Sequence, residues 1–202
     1  AYYKKGKKDE ARSYWEKAGE IDPQFAIAWF NMGVLAQEKG EMEEAQNLWN
    51  QALEVNPEFA EAHYNLGNML YEADDLDSAI EAWEKAVNAR FGFWQAHYNL
   101  GNAYYQKGFI DEAISQWQKT TQFKDDYEPV HWNLANTFYF DKNLVEPAIL
   151  EWQKVTRINP RNWQAFYNMG EAYLSQDKVE LAIMEWEKVI SLNPKFWHIY
   201  HN

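Results

Sequence analysis

Apolar and small residues fall three and four apart in two consecutive stretches. In residues 60–73 the stripe is Ala62, Leu66, Gly67, Met69 and Leu70; in residues 77–89 it is Ala79, Ile80, Trp83, Ala86 and Val87. This is the period of an amphipathic helix. It predicts one helix from about Ala60 to Ala73 and a second from about Asp77 to Ala89, joined by a short polar turn at residues 73–76. The pair then recurs. Trp15, Trp49, Trp83, Trp117, Trp152 and Trp186 are spaced by 34, 34, 34, 35 and 34 residues. A period of this size marks a supersecondary unit that buries its apolar face only against a neighbour.

Five full units fall at 26–59, 60–93, 94–127, 128–162 and 163–196. Residues 1–25 form the latter part of a preceding unit, and 197–202 open a following one. Pro23, Pro57, Pro160 and Pro194 follow second helices and stop them, because the residue before a proline is pushed out of the helical region. Gly33, Gly67, Gly101, Ala135 and Gly170 recur on the first helix, and Ala11, Ala45, Ala79, Ala113, Ala148 and Ala182 on the second. Small residues on both sides let the two backbones close as an antiparallel hairpin. The tryptophans then fill the space toward the next unit. The expected fold is all-α, a single solenoid of helix hairpins over residues 1–202.

The rhythm breaks in three places. The fourth unit carries one extra residue between Tyr139 and Ala148, with Pro147 in the first turn of a helix, where its missing N–H costs little. The junctions at 90–94 and 124–129 have Phe91 and Asp125 where the others have the stop proline. These are read as loop variation; the functional alternatives are a local change in superhelical pitch or an aromatic contact point at Phe91 and Phe93.

The strings AWFNMGVLAQEKGEMEEAQNLWNQALEVNP, AHYNLGNMLYEADDLDSAIEAWEKAV, AHYNLGNAYYQKGFIDEAISQWQK and AFYNMGEAYLSQDKVELAIMEWEKVISLNP resemble tetratricopeptide repeats. The resemblance spans nearly the whole chain. It implies a right-handed superhelix with first helices on the concave face and second helices on the convex one. Tryptophan stands where the family more often has Tyr or Phe, a departure in size alone.

Charge narrows the partners. From Glu38 to Glu84 there are 13 Asp/Glu and one Lys, so this stretch accounts for the whole net charge of −12. Such a face suits a basic segment and repels nucleic acid. Its plainest role is a solvated outer surface. No apolar run approaches the ~20 residues of a membrane span, and AYYKKGKKDEARSYW has no signal-peptide core. A soluble chain is expected, and a cytoplasmic one by default.

The chain has no cysteine, which excludes disulfides and thiolate chemistry. GxSxG, a Gly-rich phosphate loop and HExxH are all missing, so no enzyme activity and no cofactor are expected. His63, His97 and His131 fall on equivalent sites of successive units. Helices stacked ~8–10 Å apart do not bring such imidazoles within the ~2 Å Zn–N distance of one shared metal. They are read as helix-contact residues.

One row asks for a functional reason. Asn31, Asn65, Asn99, Asn133, Asn168 and Asn202 occupy one site in six successive first helices, although asparagine is a mediocre helix former. A primary amide both donates and accepts, so a row of them is a ladder for an extended backbone. Family resemblance places this row on the concave surface, as in the repeat arm of O-GlcNAc transferase, where an asparagine ladder holds extended peptides. Asn65, Asn99, Asn133 and Asn168 are the expected peptide-contact residues. Tyr64, Tyr98, Trp132 and Tyr167, then Asn68, Asn102 and Asn136, then Tyr71, Tyr105 and Tyr139 line the same groove by the family geometry. They suit backbones, prolines and cationic side chains, with Glu38, Glu61 and Glu72 at its edge.

Tetratricopeptide clamps for acidic C-terminal tails need Lys or Arg on first-helix sites. Here those sites hold Glu61, Gln95, Pro129 and Gln164, which argues against that role. The expected function is a protein-interaction scaffold that binds an extended peptide. Two rivals stand beside it. One is self-association through aromatic ends at Tyr2, Tyr3, Phe196, Trp197 and Tyr200. The other is the repeat arm of a larger enzyme such as a glycosyltransferase.

Overall fold

The computed structural model describes residues 8–195. Tyr2, Tyr3, Phe196, Trp197, Tyr200 and Asn202, among the residues singled out from sequence, lie outside that range. Eleven α-helices follow in chain order among the described residues: α1 Lys8–Ile21, α2 Ala26–Lys39, α3 Met42–Val55, α4 Ala60–Glu72, α5 Leu76–Ala89, α6 Trp94–Gln106, α7 Ile110–Phe123, α8 Glu128–Asn136, α9 Val145–Ile158, α10 Trp163–Leu174 and α11 Val179–Leu192. Among these residues no strand occurs. The second-unit helices expected at 60–73 and 77–89 are α4 and α5, each within a residue or so.

The chain divides into two compact units, Ala1–Leu100 and Gly101–Asn202. In the first, α2 packs on α3 and α4 on α5; in the second, α8 packs on α9 and α10 on α11. Both are built of stacked helical hairpins, the all-α solenoid architecture read from the sequence.

Each hairpin closes in the same way. Gly40, Asp74, Gly108, Asn143 and Asp177 occupy equivalent turn sites, all with positive φ between 53° and 82°. Only glycine, asparagine and aspartate adopt this left-handed region at low cost, which explains the restricted choice. The following amide bonds back to the end of the first helix: Glu41 N–H to Ala36 O, Asp75 to Leu70, Phe109 to Tyr104 and Lys178 to Tyr173, at 2.9–3.0 Å. In the fourth hairpin the same bond runs from Leu144 N–H to Phe138 O at 2.7 Å, one residue further. The inserted residue is taken up there as a π turn, Thr137–Asp141, of the kind that widens a helix by one residue.

The tryptophans are the core. Trp49 and Trp152 are fully buried, and Trp83 and Trp117 are 2% exposed. Trp49 clusters with Ala36 and Ala45 of its own hairpin and with Ala62 and Leu66 of the next. Room for the ring comes from the first-helix glycine. A Cβ added at Gly33 would stand 2.5 Å from Trp49 Nε1, and one at Gly67 would stand 2.6 Å from Trp83 Cδ1. Gly101 and Gly170 press on Trp117 and Trp186 in the same way. The small first-helix residue thus serves its own hairpin's indole as much as backbone approach. In the second unit Trp152 anchors a cluster with Ala135, Ala148, Ile149, Val155, Ala165, Met169 and Ala172.

Aromatic residues precede the first helices and tie hairpin to hairpin. Phe59 stands at the N-cap of α4, with its ring 4.8 Å from that of Phe30. Phe93 stands 5.0 Å from Tyr64 and beneath Arg90, which lies 4.7 Å from its centroid. Phe93 is buried, whereas Phe91 is 92% exposed. The two phenylalanines singled out together therefore do different things.

Candidate functional site

Asn65, Asn99, Asn133 and Asn168 lie mid-way along α4, α6, α8 and α10, all half-buried. Two residues on from each stands the small residue that faces the tryptophan, and one further stands Asn68, Asn102, Asn136 or Glu171. This local spacing places two amides on each first helix near the indole of the same hairpin.

The amides and indoles form a repeated relay. In the first unit, Trp83 Nε1–H donates to Asn68 Oδ1 at 3.1 Å, and Asn99 Nδ2–H donates to the same oxygen at 2.9 Å. In the second, Trp117 and Asn133 both donate to Asn102 Oδ1, at 3.1 and 3.0 Å. Trp152 and Asn168 both donate to Asn136 Oδ1, at 3.1 and 3.4 Å. The ladder residue of one unit therefore bonds the companion amide of the unit before it. Asparagine recurs on both sites partly for this reason, since a buried indole N–H left unpaired costs ~1–3 kcal/mol.

Two hairpins lack the relay. Val34 occupies the site of Asn68 in the first full unit, and Glu171 occupies it in the last. Trp49 Nε1 and Trp186 Nε1 are the buried side-chain polar atoms without a partner among the described residues. Asn65, which would reach toward residue 34, takes part in no side-chain bond there. Sequence reading treated Asn68, Asn102 and Asn136 as lining residues and missed their bond to tryptophan. The signal was available: the companion amide precedes its tryptophan by 15, 15 and 16 residues and is missing in the first and last hairpins.

The aromatic rows also have inward contacts. Tyr71, Tyr105 and Tyr139 lean on Trp83, Trp117 and Trp152 with ring centroids 5.4–5.7 Å apart. Tyr71 and Tyr105 remain about 40% exposed. The Tyr105 hydroxyl donates to Asp141 Oδ2 at 3.1 Å, and its pKa is raised by partial burial and then by that carboxylate. Tyr64 packs against Phe93 in the first unit, and Trp132 packs against the Trp152 cluster in the second. Tyr98 and Tyr167 are half-buried. Of the acidic edge, Glu61 is paired with Arg90 at 2.8 Å.

The histidines hold turns. His63 Nε2 lies 2.8 Å from Pro57 O, and His131 Nε2 lies 2.7 Å from Asp125 O, in each case the carbonyl six residues before. His131 is fully buried, and its Nδ1 meets Glu151 Oε2 at 2.6 Å. Burial pushes the Glu151 carboxyl upward. The bonds and charges of His131 and Lys154 outweigh that and hold it below its ordinary value. Among the described residues no three His, Asp or Glu converge as metal ligands, and no helix is long and apolar enough to cross a membrane. Shallow depressions of about 480 Å³ beside Leu53, Pro57 and His63, and about 430 Å³ beside Leu150 and Arg157, lie away from the amide rows.

Models of tetratricopeptide repeats match residues 30–93, residues 1–40 with 101–139, and residues 164–196. Comparison with curated proteins gives no match. Among solved structures, YrrB, a TPR protein with an unusual peptide-binding site, is similar at TM-score 0.76 and 24% identity over 89% of this chain and 92% of its own. MamA is similar at TM-score 0.71 and 21% identity, over 84% and 92%. PilF of Pseudomonas aeruginosa is similar at TM-score 0.72 and 20% identity, over 96% and 87%. These identities speak of fold alone. Hairpins that close at one turn site, indoles seated on first-helix glycines and the matched repeat models together place the chain among the tetratricopeptide-repeat proteins.

Proposed function

We propose that this protein is an interaction scaffold that binds an extended segment of another protein along its first helices, in the concave groove of the repeat array. The observation that carries this reading is the row of half-buried amides with bonding capacity left over. Asn65 makes no side-chain bond among the described residues, and Asn99, Asn133 and Asn168 each use one Nδ2 hydrogen. Such amides suit a peptide backbone, which needs its N–H and C=O groups satisfied. Tyr71 and Tyr105 add half-exposed rings on which side chains pack. YrrB, a fold relative, has an unusual peptide-binding site, which supports the class of ligand. The acidic stretch from Glu38 to Glu84 favours Lys or Arg in the part of the partner that meets the first unit.

Panning a displayed random-peptide library against the purified chain tests the reading. Selected peptides are then measured by calorimetry against the parent and Asn65→Ala. Asn65 is the cleanest site because its loss breaks no internal bond. Affinity is expected to fall by about tenfold, the equivalent of ~1.4 kcal/mol. Equal affinity for both proteins, with both folded by circular dichroism, would remove the ladder from the binding surface.

A further inference from the structure

We infer that the tryptophans lock the ladder amides in one direction, carbonyl outward, so that this face selects hydrogen-bond donors: the backbone N–H groups and Lys or Arg ends of an extended partner. The inference rests on the peptide-binding reading above and specifies which half of the peptide group is recognised.

An indole N–H can only donate. The atom of Asn68 that faces Trp83 Nε1 must therefore be oxygen. That oxygen is also the one met by the Asn99 amide at 2.9 Å, so Asn99 must present nitrogen to it. A turned Asn99 would set oxygen against oxygen. With its nitrogen engaged, Asn99 directs Oδ1 away from the pair. The same logic orients Asn133 through Trp117 and Asn102, and Asn168 through Trp152 and Asn136. The ladder oxygens take part in no internal bond. They are also not among the buried unpaired atoms, which are the indole nitrogens of Trp49 and Trp186. They therefore reach solvent. Each locked amide offers two acceptor lone pairs against one remaining N–H, so acceptors outnumber donors on this face and the preference is for donors.

The surroundings push the same way. The helices that carry these amides, α4, α6, α8 and α10, contain no Lys or Arg, and Glu72 and Glu171 lie on them; Glu61 is paired with Arg90, and Glu128 accepts from Asn159 and Asn162. Asn65 is the exception within the row. Val34 replaces its relay partner, so its amide can turn to suit either half of a peptide group. Trp83, Trp117 and Trp152 are thus positioning residues: they act on a ligand through an asparagine and do not touch it.

Three capped decapeptides serve as probes: (Lys-Gly)5, (Lys-sarcosine)5 and (Glu-Gly)5. Sarcosine keeps every carbonyl and removes alternate N–H groups. The parent is expected to bind (Lys-Gly)5 about tenfold more tightly than the sarcosine peptide and to show no binding of (Glu-Gly)5. In the Trp83→Phe/Trp117→Phe variant the amides are free to turn, and the tenfold preference should shrink to about threefold or less. A purely steric penalty from the N-methyl group would persist in that variant. If the variant does not fold, Asn68→Leu/Asn102→Leu removes the relay from its other end. Equal binding of both lysine peptides by the parent overturns the inference while leaving peptide binding intact. A preference that survives in the folded variant also overturns it. Failure of all three probes to bind at millimolar concentration overturns it too, and leaves the broader reading to the library selection.

Discussion

At the scale of single residues, one buried group, the indole N–H, sets which residues its neighbours can be. A buried indole N–H needs an acceptor, and in three hairpins an asparagine supplies it at 3.1 Å. Trp49 has none, because Val34 stands at the acceptor site. Val34→Asn should therefore stabilise the protein by about 1 kcal/mol, the net value of a hydrogen bond, with valine and asparagine close in helix propensity. Urea unfolding of the two proteins measures this, and a fall in stability would show that Val34 packing outweighs the missing bond. The row of equivalent asparagines was legible in the sequence. Its internal work was not. Periodicity says that Asn65, Asn99 and Asn133 are equivalent positions; it does not say which atoms meet, and Asn99 turns out to reach back to Asn68. The tyrosine rows show the same limit: Tyr71 and Tyr105 were read as groove lining, yet their rings rest on tryptophans.

Helices and turns were more open to reading, because they depend on local rules. The period of α4 and α5, the polar turn at 73–76 and the stop prolines all act within a few residues. The extra residue of the fourth unit was visible between Tyr139 and Ala148, but its fate was not. A helix can absorb an insertion by widening one turn, and here it does so at Thr137–Asp141. That hairpin is also the one with Ala135 in place of glycine. Elsewhere the glycine is seated on an indole, so Gly67→Ala should cost about 1–3 kcal/mol of overpacking, because its Cβ would meet Trp83 at 2.6 Å. Thermal melts of Gly67→Ala beside the exposed-turn control Gly40→Asn, where nothing crowds the Cβ, would separate crowding from backbone effects.

The contact between α8 and α9 adds a pH dependence at the same scale. Glu151 bonds His131 and Lys154 and is held below its ordinary value of 4.5 despite burial. A depressed carboxyl stabilises the fold above its unfolded value, and that contribution is lost as pH falls through the folded value. Glu151→Gln should therefore lower stability by about 1–3 kcal/mol at pH 7. The gap between parent and variant should narrow below about pH 4.5. A gap of constant size from pH 7 to pH 3 would mean that the carboxylate's charge contributes nothing.

For the whole molecule, the uneven charge is the property no single element shows. The full net charge of −12 arises between Glu38 and Glu84, within the first compact unit. Crowded like charges oppose the compact state and favour a basic partner, and salt acts on both. The two effects have opposite signs and can be measured on one protein. Screening should raise the melting temperature of the free chain between about 10 and 200 mM NaCl, where the Debye length falls from ~30 to below 10 Å. It should also weaken binding of a lysine-rich peptide over the same range. The attractive pairs Arg12–Glu44 and Arg90–Glu61 are partly or largely exposed, and such pairs add little that salt could remove. Glu54 and Glu81 are exposed second-helix carboxylates of α3 and α5, away from the amide rows. Glu54→Lys/Glu81→Lys changes the charge of this stretch by four without touching those rows. The variant should melt higher than the parent at low salt, respond less to added salt, and bind the peptide more weakly with a shallower salt dependence. A melting temperature that falls with salt in the parent would mean that attraction, and not repulsion, dominates the acidic unit, and the case for a basic partner would fall with it.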